Sequence, residues 1–144
     1  MSPQEMEEIL QSLLARETST LDSPSSTDWQ QLESKFGCKF GEDFKTFIGL
    51  MSRYSFPGDI LNVSSGKTNG NDSIELTYDL ERQGSAWNPA MIPFYAIGNG
   101  DYFCINKDEC PSSQVYYFYA ERPAFERYSN SFGEWVAHLP QFLA

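Results

Sequence analysis

The chain of 144 residues is short of positive charge. Ten Lys and Arg face twenty Asp and Glu, which gives a formal net charge of −10 and a sequence pI near 4.4. Proteins that bind phosphate backbones usually present a basic patch, and an anionic membrane repels an acidic surface. We therefore expect neither direct nucleic-acid binding nor membrane binding. An acidic surface favours a basic partner, although it also serves solubility alone.

Cysteine and histidine are also scarce. The three cysteines, Cys38, Cys104 and Cys110, form no CxxC pair, and His138 is the single histidine. An odd number of scattered cysteines argues against a disulfide framework and favours a reducing compartment. Zinc-ligand spacing is missing as well. The sequence therefore predicts no metal and no cofactor.

Long apolar stretches are missing too. No apolar run approaches the roughly 20 residues that span a bilayer, and the acidic N-terminal segment does not resemble a secretory signal. We therefore expect a cytoplasmic protein. Aromatic residues, at 15% of the chain, are abundant enough to build a core. The length suits one domain over residues 1–144.

Helical periodicity marks both ends of the chain. Apolar residues at helical spacing predict a first helix over about residues 3–16, a second over 28–36 and a third from about Glu42. Thr27 with Gln30 fits a capping box for the second helix, and Ser131 with Glu134 fits one for a final helix. Pro140 should disturb that final helix near its end.

The centre of the chain is predicted to form strands. Residues 59–63 suggest a short strand, 64–72 an exposed polar loop, and 73–83 a strand or a helix. Three apolar runs then suggest an antiparallel meander of about three strands, in which Asn99-Gly100 favours a hairpin turn because both residues tolerate positive φ. Pro93 restricts its strand to an edge, or to pairing only beyond that residue. The predicted class is α+β, with helices packed on an antiparallel sheet.

Enzymatic signatures are weak. A nucleophile and a base must be brought together by the fold, and the one candidate pairing is Cys104 with His138. The carboxylate pairs Glu42/Asp43, Asp108/Glu109 and Glu121/Glu126 each have ordinary explanations at helix starts, loops or strand ends. We therefore predict that the chain is not an enzyme.

Several segments form a recognisable pattern when they are taken in order. They are Trp29, Leu32, Glu33, Phe36 and Gly37, then Glu42-Asp43-Phe44-Lys45 with Phe47, Ile92-Pro93-Phe94, the stretch from Gly98 to Asn106, Val115-Tyr116-Tyr117, and Ser131-Phe132-Gly133-Glu134-Trp135. This pattern resembles the SUKH superfamily, also called the Smi/Knr-like domain. The resemblance covers about residues 29–143, and this chain departs from the family pattern at Phe40-Gly41, at 52–58 and at Asn106.

This resemblance implies a function in binding. Bacterial members of the superfamily commonly act as immunity proteins that bind toxins, often nucleases, exchanged between competing bacteria. It therefore implies a cognate protein toxin as partner, and an acidic chain would suit a basic nuclease. The superfamily also includes a yeast cell-wall regulator, which leaves a regulatory scaffold as the alternative.

Candidate contact residues come from segments expected to be loops or strand exteriors. Aromatic side chains surrounded by charge are typical of interface hot spots. The same residues could serve a homodimer, and Asp101 could instead orient the hairpin. Two further alternatives are a small hydrolase that uses Cys104 or a carboxylate pair, and a nucleic-acid mimic of broad inhibition. The candidates are Tyr54, Asp79, Glu81, Trp87, Asp101, Asp108, Glu109, Tyr116, Tyr119 and Glu121.

Overall fold

The computed structural model describes residues 1–17, 23–63 and 72–144. The predicted loop at 64–72 therefore lies almost wholly outside the described residues, as does part of the connection before α2. The helices are α1 Pro3–Leu13, α2 Ser26–Phe36, α3 Glu42–Leu50, α4 Ile74–Glu81, α5 Phe132–Ala137 and α6 Leu139–Phe142. The strands are β1 Asp59–Ile60, β2 Met91–Ala96, β3 Tyr102–Asn106, β4 Val115–Tyr119 and β5 Ala124–Ser129, and a 3-10 turn spans Lys107–Glu109.

The strands form one antiparallel sheet in chain order, β1-β2-β3-β4-β5. This confirms the α+β class. The expected meander of about three strands corresponds to β2, β3 and β4, and β1 lies within the short strand expected at 59–63, so β5 is the strand that was not expected. β5 escaped prediction because its charged residues are exposed at the edge of the sheet. The ambiguous segment 73–83 contains the helix α4, whose N-cap Ser73 accepts a hydrogen bond from the Leu76 amide.

Helix α2 begins two residues earlier than the predicted capping box implies. Its N-cap is Ser25, whose side chain accepts a hydrogen bond from the Asp28 amide, while the Asp28 carboxylate accepts one from the Ser25 amide. Thr27 lies inside the helix and does not cap it. The end of α2 agrees with prediction, because Gly37 adopts the left-handed conformation at φ 67°.

The turn between β2 and β3 differs from the expected one. Positive φ occurs at Gly98 (109°) and Gly100 (94°), and Asn99 does not share it. Asn99 instead accepts a hydrogen bond from the Asp101 amide through its side chain. The two predicted placements of Pro93 are wrong on the β3 side, because β2 is an interior strand that pairs with β3 from Met91 through Pro93. Pairing only beyond the proline holds on the β1 side, where the partners are Tyr95 and Ala96.

The main core lies between one face of the sheet and helices α1, α3 and α5. Its centre is Trp135 of α5, whose ring lies 5.3 Å from Phe47, 5.1 Å from Phe94 and 5.4 Å from Phe103. The apolar residues of the final helical segment, Phe132, Trp135, Val136 and Leu139, are all buried. The helix breaks as expected: α5 ends at Ala137 and Pro140 lies in the first turn of α6.

A buried carboxylate joins α2 to α3. Glu33 is only 7% exposed. Its carboxylate accepts a hydrogen bond from the Phe40 amide at 2.8 Å and forms an ion pair with Lys45 at 3.3 Å. Burial on its own would raise the pKa of Glu33, but the Phe40 amide and the Lys45 ammonium outweigh it and lower that pKa. The charged form is therefore the one that the fold stabilises.

Replacing Glu33 with Gln is expected to lower the free energy of unfolding by roughly 1–3 kcal/mol at neutral pH. Because the folded pKa of Glu33 is depressed, its stabilisation is present above the unfolded value, near 4.5, and is lost as the pH falls through the folded value. Urea denaturation of the wild type and the variant at pH 7 and pH 3.5 should show the difference shrinking in acid. Glu8→Gln, at an exposed position of α1, is the control. A difference that is equal at both pH values contradicts this account.

Candidate protein-binding surface

The face of the sheet that points away from the main core carries a second, smaller core. Strand alternation places Cys104 and Phe118 there, and they pack with Trp87 and Met91. The Trp87 ring lies 4.9 Å from that of Phe118, and its indole N–H donates to the Met91 carbonyl oxygen at 3.1 Å. We call this side the outer face; its half-buried margin consists of Tyr102, Tyr116, Ala120 and Phe125.

Two tyrosine–carboxylate pairs border the outer face. The Tyr102 hydroxyl donates to Glu81 of α4 at 3.0 Å, and the Tyr116 hydroxyl donates to Glu109 at 2.6 Å. Burial, reinforced by the neighbouring carboxylate, raises the pKa of Tyr116 to about 12 and also raises that of Tyr102. Both hydroxyls therefore stay protonated at neutral pH, and each holds its carboxylate in one orientation.

Asp101 links the start of β3 to the end of β4. Its carboxylate accepts a hydrogen bond from the Ala120 amide at 2.8 Å and another from the Tyr117 hydroxyl at 2.7 Å. Burial tends to raise the pKa of Asp101, and these donors outweigh it, so that the pKa is lowered. The contacts give Asp101 a structural role at the hairpin, one of its two predicted roles.

A tyrosine pair is exposed beside Asp101, on the opposite side of the sheet from the outer face. Tyr119 is 40% exposed and packs 4.7 Å from Tyr117, while its hydroxyl is hydrogen-bonded to Glu126, which raises the Tyr119 pKa. Tyr128 of β5 is 43% exposed and was missed by the sequence analysis. It could have been found only with β5, whose alternation of side chains places it on the same face as Glu126.

The predicted contact residues fall into two groups and two isolated positions. Glu81, Trp87, Glu109 and Tyr116 meet at the outer face, with the exposed Asp108 next to Glu109. A second group lies around the β3–β4 ends and the turn after β4. It consists of Asp101, Tyr119 and the exposed Glu121.

Tyr54 and Asp79 lie apart from both groups. Tyr54 is 4% exposed and its hydroxyl reaches Glu7, whereas Asp79 pairs with Lys35 at 2.8 Å. The expectation that the candidates occupy exposed positions is wrong for Tyr54 and for Trp87, which is 6% exposed. Both are large aromatic residues that pack inside the fold. They cannot contact a partner directly and can affect binding only by positioning their neighbours.

Helix α4 adds an apolar feature that the sequence analysis did not single out. Leu76 and Leu80 are 49% and 56% exposed and lie one turn apart on the same side of the helix. Glu81 follows directly and holds Tyr102. Helix α4 therefore carries both an exposed leucine pair and one of the carboxylates that border the outer face.

The Cys104–His138 pairing is not formed. Cys104 is fully buried on the outer face, and burial, followed by the nearby Glu81 charge, raises its pKa well above the usual value. His138 ends α5, which packs on the other face of the sheet, so the sheet separates the two side chains.

Within residues 1–17, 23–63 and 72–144, no three His, Cys, Asp or Glu side chains cluster in a way that could hold a metal ion. Over the same ranges, no helix has the length and apolar character needed to cross a membrane.

Comparison with protein families places this architecture. The family model SUKH_5, described as SMI1-KNR4 cell-wall, matches residues 6–141. The chain belongs to the SUKH superfamily. A comparison with curated proteins gave no match. In this SUKH protein, most of the aromatic positions behind the resemblance, such as Trp29, Phe44 and Trp135, are core residues, so they account for the fold and leave the contact surface to other residues.

Proposed function

We propose that this SUKH protein is an immunity protein that binds and neutralises a toxin of bacterial competition, and that it catalyses no reaction itself. The observation that carries the proposal is the outer face, where the Tyr102–Glu81 and Tyr116–Glu109 pairs border a packed aromatic centre. Tyrosines beside oriented carboxylates form a preorganised surface for the Lys and Arg side chains of a partner.

The charge of the whole chain supports the same partner chemistry. At a net charge of −10, long-range attraction speeds the encounter with a basic toxin, such as a nuclease, and disfavours acidic proteins. The oriented carboxylates at Glu81 and Glu109 then supply the local contacts. Cys104 supports the absence of catalysis, because a fully buried thiol with a raised pKa is a poor nucleophile.

A regulatory scaffold is the second candidate function. It is favoured by the cell-wall description of the matching family and by the exposed Leu76–Leu80 pair, which suits an apolar protein contact. A scaffold needs a binding surface but no toxin. The two candidates therefore differ in the partner and not in the chemistry of the surface.

The deciding experiment is co-purification of the tagged chain with the product of the neighbouring open reading frame, followed by growth rescue. We expect a tight complex, and we expect cells that express the neighbouring protein to grow only when this chain is present. With both proteins folded, the absence of both a complex and rescue would reject the immunity function and favour the scaffold. A complex without any growth effect of the neighbouring protein would also favour the scaffold.

A further inference from the structure

Two cysteines from distant parts of the chain meet beside an open cleft. Cys38 follows α2, and Cys110 follows the 3-10 turn Lys107–Glu109. Their segments touch, because a Cβ atom at Gly41 would collide with the Pro111 carbonyl oxygen. The two thiols are partly exposed, pack against the main core and lie close enough together for each to shift the pKa of the other, while the Cys110 thiol donates to the Asn106 carbonyl oxygen at 3.4 Å.

The cleft gives a small molecule access to Cys110, one member of this pair. It has a volume of about 540 Å³, and Cys110, Pro111 and Gly41 are among its lining residues. This size lies within the range of pockets that take small ligands. Cys104, in contrast, is fully buried on the opposite side of the sheet, so the third thiol has no comparable access.

We propose that Cys38 and Cys110 form a dithiol site that a small-molecule disulfide, such as glutathione disulfide, oxidises to an intramolecular disulfide. The proposal goes beyond toxin binding and does not rest on it. Proximity of the two thiols, contact between their two segments and access to Cys110 through the cleft carry the proposal together. The reducing compartment expected from the cysteine count would hold the site in its dithiol form until a small disulfide accumulates.

The reaction is a pair of thiol–disulfide exchanges. The Cys110 thiolate, which lines the cleft, attacks one sulfur of the small disulfide; a mixed disulfide forms and one small thiolate leaves. The Cys38 thiolate then attacks the Cys110 sulfur and displaces the second small thiolate. The protein loses two protons and two electrons, and the small disulfide is reduced to two thiols.

The surroundings of the pair make this oxidation slow at neutral pH. Burial raises the pKa of Cys110 to about 12 and also raises that of Cys38. The charged groups that act on the two thiols are Glu33, Lys107, Asp108 and Glu109, and three of these four are acidic. Because the thiolate is the attacking species, the rate of oxidation should increase steadily from pH 7 to pH 9.

The test treats the folded full-length chain with glutathione disulfide, blocks the remaining thiols and measures intact mass and disulfide-linked peptides. We expect a product two hydrogens lighter, a Cys38–Cys110 peptide and an unmodified Cys104. The cross-link closes a loop on the order of 70 residues, so the melting temperature should rise on the order of 10 °C and return on reduction.

Single variants separate the two steps. Cys38→Ser should accumulate a stable mixed disulfide at Cys110. Cys110→Ser should form no cross-link, and any adduct at Cys38 should form more slowly than the adduct at Cys110 forms in Cys38→Ser. Cys104→Ala is the matched control and should oxidise like the wild type. Mixed disulfides alone in the wild type, or a cross-link that includes Cys104 in folded protein, would overturn the proposal. The wild-type peptide map decides the question even if a variant fails to fold.

Discussion

Replacing Trp135 with alanine is expected to lower the free energy of unfolding by about 3–5 kcal/mol. Trp135 is 1% exposed and stands at the point where α5 meets α3 and the sheet. Its ring contacts Phe47 of α3 and Phe94 and Phe103 of the sheet. Removing it leaves a cavity that none of these rigid neighbours can fill.

Urea denaturation of the wild type and Trp135→Ala measures this loss. Total stabilities of small proteins are about 5–15 kcal/mol, so the variant should be marginal at best. Trp135→Phe is the matched control, because it keeps an aromatic ring in the core, and it should cost clearly less. An alanine variant within 1 kcal/mol of the wild type would mean that α5 does not organise the core.

Reversing two charges at the outer face is expected to weaken binding of the proposed toxin on the order of 100-fold, or about 2.7 kcal/mol. The variant is the double substitution Glu81→Lys with Asp108→Lys. Glu81 is held by Tyr102, and Asp108 is the exposed sequence neighbour of Glu109, the carboxylate held by Tyr116. The measurement is the dissociation constant by calorimetry, at low and at high salt.

The control carries the same change of net charge elsewhere. Glu8 and Glu17 are exposed and belong to the N-terminal segment, away from the outer face. Glu8→Lys with Glu17→Lys should slow association through the long-range field alone, and high salt should remove most of that effect. Circular dichroism checks that both double variants are folded. If the two variants lose affinity equally at high salt, the outer face is not the contact surface.

If reversal of Glu81 and Asp108 does not weaken binding, a second surface is the next candidate. The exposed pair Tyr119 and Tyr128, with Glu126 between them along the strands, is the next surface of aromatic and acidic character. Charge reversal at Glu126 would then weaken binding where reversal at Glu81 does not. The same comparison separates toxin binding at the outer face from binding through the opposite side of the β4–β5 hairpin.

Helices α1, α2, α3 and α5 could be predicted from the sequence because their signals are local, whereas the sequence left the segment of α4 open between strand and helix. The spacing of Trp29, Leu32 and Phe36 is enough to define a buried stripe, and Gly37 ends that helix whatever surrounds it. Ser131 likewise marks the start of α5. The resemblance to the SUKH superfamily was visible for a related reason, since most of its positions are core residues whose type depends on burial.

The contact surface depended on tertiary structure. The alternation of side chains alone could not show which side of the Tyr116–Tyr119 run faces the helices. It also could not show that Trp87 packs on the outer face, where it is buried and cannot contact a partner directly. β5 was missed because an edge strand can be polar on both sides. The pairs Tyr102–Glu81 and Tyr116–Glu109 form between different elements or across a turn, and only the folded chain brings them together.

The sequence by itself determined the acidic charge, the α+β class, the order of the main helices and the family, because these follow from composition and from residues close together in the chain. Tertiary structure decided which carboxylates are oriented by tyrosines, that Cys38 meets Cys110, and that Cys104 and His138 lie on opposite sides of the sheet. The physical reason is that such contacts join residues far apart in sequence, and their geometry depends on how the strands pair and how the helices pack.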